Sequence, residues 1–139
     1  MTYGECKEKI RDLGFEEDST MQEYSSIVKN SVQRAIQFLF DGIVVRYRTY
    51  YQHKLSTEDF EWFPVRPAQI TVDTPDDFVI ELPDDIIELV PLLASYYVWL
   101  DDDQVKAALY WNAFDASLND VVTAINRNIK GVIIGGVRW

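Results

Sequence analysis

The sequence predicts a mainly α-helical fold: a small bundle of about four helices, an inserted small antiparallel β hairpin or sheet, and an extended C-terminal arm. Three observations lead there. Apolar residues recur at steps of three and four over most of the chain. From about residue 45 the pattern changes to β-branched and aromatic alternation. The last segment, from Ile129 to Trp139, is apolar, glycine-punctuated and without an acid. With 139 residues, 47% apolar and 26% charged, one domain with one core is expected. It spans 1–128, carries the β insertion at about 45–82, and is followed by the arm at 129–139.

A short helix is expected over Thr2 to Leu13. Thr2 and Glu5 have the capping-box spacing, Tyr3, Cys6, Ile10 and Leu13 form one stripe, and Gly14 ends it. Cys6 lies on that stripe and reads as core rather than as a reactive thiol. A second helix is expected from about Met21 to Phe40, capped by Ser19 or Thr20. Its apolar positions are Tyr24, Ile27, Val28, Val32, Ala35, Ile36 and Leu39. Phe38 and Phe40 fall off the stripe and either pack on the insertion or face a neighbouring subunit. A strand is then expected from near Val45, where Val45, Tyr47, Thr49 and Tyr51 alternate with Arg46 and Arg48. Gln52 to Asp59 reads as a polar loop holding the sole histidine, His53, as a solvated residue. Phe60–Phe63, Gln69–Val72 and Asp77–Leu82 are further short strand candidates, with Pro64 and Pro67 barring a regular central strand.

The dipeptide Leu82-Pro83 followed by Asp84-Asp85 is the sharpest local signal, and predicts a helix over about Asp84 to Leu100. That helix is apolar nearly all round, which suggests burial on several sides and a subunit interface, with Pro91 as a kink. Asp102 or Asp103 caps a last long helix to about Asn126. Its apolar set is Val105, Ala108, Leu109, Trp111, Phe114, Leu118, Val121, Val122 and Ile125. The tail beyond it is either a last strand folded onto its own hairpin or an arm that adds to a partner, with Trp139 as an anchor.

Composition narrows the function. The formal net charge of −10 argues against a basic nucleic-acid binder. No apolar run is long enough for a membrane span, and Met1-Thr2-Tyr3-Gly4-Glu5-Cys6-Lys7 lacks the basic-then-apolar order of a secretory signal. One cysteine and one histidine leave few catalytic or metal-binding tools. The Asp101-Asp102-Asp103 run is not a calcium loop: Lys106 stands at the sixth position, where glycine is needed, and Asn112 at the twelfth. No catalytic residue, cofactor site or metal site is assigned, and the protein is not expected to be an enzyme.

The charge is unevenly placed. From Ala68 to Val105 there is no Lys or Arg, and the acids Asp73, Asp76, Asp77, Glu81, Asp84, Asp85, Glu88, Asp101, Asp102 and Asp103 carry the whole net charge. Either these are helix N-termini and a solvated loop, or they form an acidic surface.

The order of elements resembles a known family, the head–tail connector adaptors (head-completion proteins) of long-tailed double-stranded DNA phages. The resemblance is carried by the opening residues, the long second helix and the intervening strands. It is closest over 82–118. There Leu82-Pro83-Asp84-Asp85 opens a hydrophobic helix ending in Asp101-Asp102-Asp103, and Ala107-Ala108-Leu109-Tyr110-Trp111-Asn112-Ala113-Phe114 follows. The resemblance implies a structural virion protein, assembled in the host cytoplasm, which forms a homo-oligomeric ring, typically of twelve subunits, beneath the portal protein. Such a ring extends the DNA channel, lets DNA pass without sequence-specific binding, and offers a docking surface to a downstream neck or tail protein. The implied portal-reaching arm is Ile129, Lys130, Val132, Ile133, Ile134, Val137, Arg138 and Trp139. Lateral subunit contacts are expected through Tyr96, Trp99 or Trp111. Asp84, Asp85, Asp101, Asp102 and Asp103 would form an acidic channel or surface. Two other classes stay open: an acidic, DNA-mimic-like regulator that occupies a basic protein, and a small enzyme using two of the acids.

Overall fold

Thr2 opens the first helix, α1 (Tyr3–Gly14), through the expected capping box: its hydroxyl accepts from the Glu5 N–H, and the Glu5 carboxylate accepts from the Thr2 N–H. The computed structural model describes the backbone of residues 1–56 and 62–134. After α1 come α2 (Asp18–Glu23), α3 (Ser25–Leu39), a π-helical turn over Phe40–Val44, α4 (Arg48–Leu55), α5 (Asp84–Ile87), α6 (Val90–Trp99) and α7 (Gln104–Ile134). The predicted second helix is therefore two helices that break at Tyr24, and the first of them starts at Asp18, before the expected caps.

α6 is the axis of the fold, packed by α1, α3 and α7. α1 runs alongside it in the same direction, with Lys9 on Glu88 at one end and Phe15 on Trp99 at the other. α7 runs back along it, placing Lys106 on Trp99 and Trp111 on Tyr96. Val90, Pro91, Leu93, Ala94, Ser95 and Val98 of α6 are all buried. The all-round apolarity is thus consumed within the chain: three helices cover α6, and its pattern does not require a subunit interface. The expected single helix over 84–100 is split. Pro91 lacks an N–H, and it sits in the first turn of α6, where that donor has no helical partner anyway.

The predicted β insertion is not formed. Among the described residues there is no strand, sheet or hairpin; one isolated antiparallel bridge joins Thr2 to Val79. Residues Arg48–Leu55, read as strand and loop, are α4, and His53 lies exposed on that helix. Ile43, Val44, Tyr50 and Tyr51 are buried together. Their spacing of i, i+1, i+7 and i+8 fits a helical face as well as alternation fits a strand. Residues 62–82 are irregular. Two prolines, Pro64 and Pro67, remove ladder donors there, and a lone hairpin is marginal in water. Side chains pin this segment instead: the Ile70 N–H donates to Gln33 Oε1 at 2.7 Å, and Arg66 pairs with Asp41 at 2.6 Å. The strand candidate at Phe60–Phe63 lies partly outside the described residues.

The extended arm is also corrected over its first part. α7 does not stop near Asn126 but continues to Ile134. Adding residues to an existing helix costs no new nucleus, and β-branched residues lose only a few tenths of a kcal/mol each there, up to about 0.7 kcal/mol. Val137, Arg138 and Trp139 lie outside the described residues.

Candidate functional site

The predicted lateral residues separate into two places. Trp99 packs against the core of its own chain. Its ring stacks against Phe15 and Tyr24, with centroids 5.0 and 5.5 Å away, and the Lys106 ammonium lies 3.8 Å above it. The same Lys106 donates to the Gly14 carbonyl, and the Tyr110 hydroxyl donates to the Leu13 carbonyl. Two α7 side chains thus cap the C-terminal end of α1. The Asp102 carboxylate near the Tyr24 hydroxyl pushes that phenol above its usual range.

Tyr96 and Trp111 are brought together, with ring centroids 5.1 Å apart and both half-buried. Trp111 continues to the fully buried Phe114, and Phe114 meets the edge of Phe38 on α3. Phe38 keeps 40% of its surface exposed. Phe40, which falls off the same stripe in the sequence, is buried. An aromatic band therefore runs from the core of α6 and α7 to the surface of α3.

α7 carries a second exposed feature, at two positions of its predicted apolar set. Val105 is 77% exposed and Leu109 65%. Both point away from the side holding Ala107, Phe114 and Ile125, which are buried. At 100° per residue Val105 lies opposite Phe114, so the helix has two apolar sides and only one is covered. Asn112, Ala116, Asn119 and Thr123 continue the outward face; all are exposed or nearly so, and none is charged. The signal for this was present: the expected apolar set of the last helix is too wide for a single stripe.

The acids do not form one surface. Asp84 and Asp85 start α5, whereas Asp101, Asp102 and Asp103 occupy the turn between α6 and α7, so the length of α6 separates them. Asp103 is the cap the sequence predicts, accepting from the Lys106 N–H at 3.0 Å. Asp85 is used internally. Tyr51, fully buried, donates to its Oδ2 at 3.1 Å, and Lys54 lies 3.8 Å from the same oxygen. Burial and the Asp85 charge push the Tyr51 phenol far up. Asp84 and the Asp101–Asp103 run stay exposed.

A groove of about 880 Å³ lies between α1, the α2–α3 corner and residues 71–77. Its lining holds Lys7, Arg11 and Lys29 beside Glu5, Glu8 and Asp76, and neither histidine nor cysteine. Lys7 pairs with Asp76 at 2.6 Å, and the Glu5 carboxylate serves the α1 cap. Cys6 is buried, and burial pushes its thiol up to about 12. Among the described residues no three His, Cys, Asp or Glu are placed to hold a metal ion, and no helix is long and apolar enough to cross a membrane. No family model matches the chain, and no curated protein or solved structure is significantly similar to it.

Proposed function

We propose that this protein is a structural adaptor of the phage head–tail connector type, a subunit that docks on a portal as a ring and presents a surface to the next neck protein. The observation that supports the reading is α7. It is 31 residues long, about 46 Å, and it reaches nine residues past Ile125, its last buried side chain among the described residues. Its covered side completes the core, while Val105 and Leu109 leave an exposed apolar patch near its N-terminal end for a neighbour. The half-buried Tyr96–Trp111 pair and exposed Phe38 are the second lateral patch. The C-terminal part of α7 and the residues after it form the portal-directed arm. The net charge of −10 suits a channel wall along which DNA slides without sticking.

The test is co-sedimentation of the purified protein with cognate portal rings, full-length beside a 1–128 truncation. Full-length binding that is lost on truncation is the expected result. Absence of binding by both forms to competent portals overturns the adaptor reading and turns attention to a basic protein partner. Truncated protein that still binds removes the arm assignment alone.

A further inference from the structure

We propose that the backbone edge at Val79 accepts an extended segment of a partner protein, one that is apolar at one position and basic two residues to either side. The inference stands apart from the adaptor reading and needs no portal. Residues 78–80 pair on one side only, with the N-terminal residues: the Tyr3 N–H donates to the Phe78 carbonyl at 2.8 Å, and the Ile80 N–H to the Met1 carbonyl at 2.9 Å. This makes Thr2 and Val79 a pair without mutual hydrogen bonds. The Val79 N–H and C=O therefore point the other way, and neither has a partner among the described residues. Val79 is 53% exposed, so this is an open strand edge, with no sheet beside it among the described residues.

The edge opens onto a groove of about 520 Å³, lined by Val65, Arg66, Pro67, Ala68, Phe78, Val79 and Glu81. Its far wall cannot close it by pairing, because Pro67 has no N–H to give. Arg66, the only cation in the lining, is held by Asp41. What remains toward solvent is apolar Val65 and Val79, with Asp77 and Glu81 exposed two residues to either side of Val79. No ion pair holds either acid among the described residues. These acids select the occupant. A second copy pairing edge to edge around Val79 would bring Asp77, which ends the turn closed by the Phe78 N–H on the Pro75 carbonyl, toward Glu81 of the other copy, and like charges brought together across a pairing are destabilising. A strand with Lys or Arg at those two positions gains at both, while exchanging two main-chain hydrogen bonds with Val79.

The experiment titrates the full chain with the peptide Thr-Lys-Thr-Val-Thr-Lys-Thr and follows backbone amides by NMR. The Val79 amide is expected to shift and its hydrogen exchange to slow by roughly tenfold at saturation. The same peptide with Glu for Lys, or with an N-methylated central valine, is expected to leave Val79 unmoved. Val79→Pro removes the edge donor without touching the Phe78 and Ile80 bonds and should abolish binding. Asp77→Lys with Glu81→Lys, both at exposed positions, should reverse the preference to the glutamate peptide, which keeps the test decisive if the proline variant misfolds. Equal response to the lysine and glutamate peptides, or to the methylated one, overturns the proposal. So does stronger binding of the chain's own 132–139 peptide, which would assign the edge to a second copy.

Discussion

Gly14 stands where α1 meets α7, and a Cβ there would lie 2.5 Å from Trp99 Nε1 and 3.1 Å from the Tyr110 hydroxyl. Trp99 is held by Phe15, Tyr24 and Lys106 and has little room to retreat. Gly14→Ala should therefore cost about 1–3 kcal/mol, the usual range for overpacking. Gly42 in the π-helical turn has nothing within 4 Å of the same position. Gly42→Ala should be neutral or stabilising by up to about 1 kcal/mol. Urea midpoints of the two variants measured side by side check both. Tyr51→Phe removes the hydroxyl that serves Asp85, whose other oxygen, Oδ1, is already buried without a partner. The expected loss is about 1–3 kcal/mol by the same measurement. Cys6 adds a pH dependence. Its thiol is raised from 9.0 to about 12 by burial, so the folded state holds the neutral form in a range where the unfolded chain ionises. The contribution is fully present below 9.0 and is lost as pH rises toward about 12. Buried tyrosines, Tyr3 and Tyr51 among them, are raised in the same direction and add to the alkaline loss. Cys6→Ala should flatten part of that fall in denaturation curves recorded across this range; an unchanged slope would remove Cys6 from the account.

At the scale of the element, α7 is the longest helix described. From Ala107 to Ile125 it covers α6, and past Ile125 it has no buried side chain among the described residues. Ending the chain at residue 128 should leave the thermal midpoint nearly unchanged, because no described core contact is removed. Calorimetry of the truncated and full chains tests this independently of any partner. Helix ends were legible in the sequence: the Thr2–Glu5 box, the Gly14 stop and the Asp103 cap all depend on residues within one turn. The middle of the chain was not. The run from Ile43 to Tyr51 satisfies both periods, and what decides is that helix places Ile43, Val44, Tyr50 and Tyr51 in the core together. Likewise Val105 and Leu109 belong to the predicted apolar set of the last helix, and only the position of the covered side makes them surface.

For the whole molecule, charge is the dominant long-range term. The described ion pairs are at the surface and each contributes little, whereas a net charge of −10 repels itself in the compact state. Raising salt from about 20 mM to about 500 mM, which shortens the screening length severalfold, should raise the thermal midpoint. A midpoint that falls would mean the ion pairs outweigh the repulsion. The predicted acidic surface changes at this scale. Asp84 and Asp85 lie at one end of α6 and Asp101, Asp102 and Asp103 at the other, and Asp85 turns inward to Tyr51. Of the predicted lateral residues, Tyr96 and Trp111 meet, while Trp99 closes the core around α1.

The helical character, the caps at Thr2 and Asp103, the buried thiol of Cys6 and the uneven charge were determined by the sequence alone, because each follows from residue type and spacing within a turn or two. The tertiary structure decided the rest. It made α6 an axis wrapped by its own chain, turned the expected strand into α4, carried α7 to Ile134 and left the Val79 edge open. Each of these depends on which distant segment arrives to cover a face or take a hydrogen bond, and local periodicity carries no record of that.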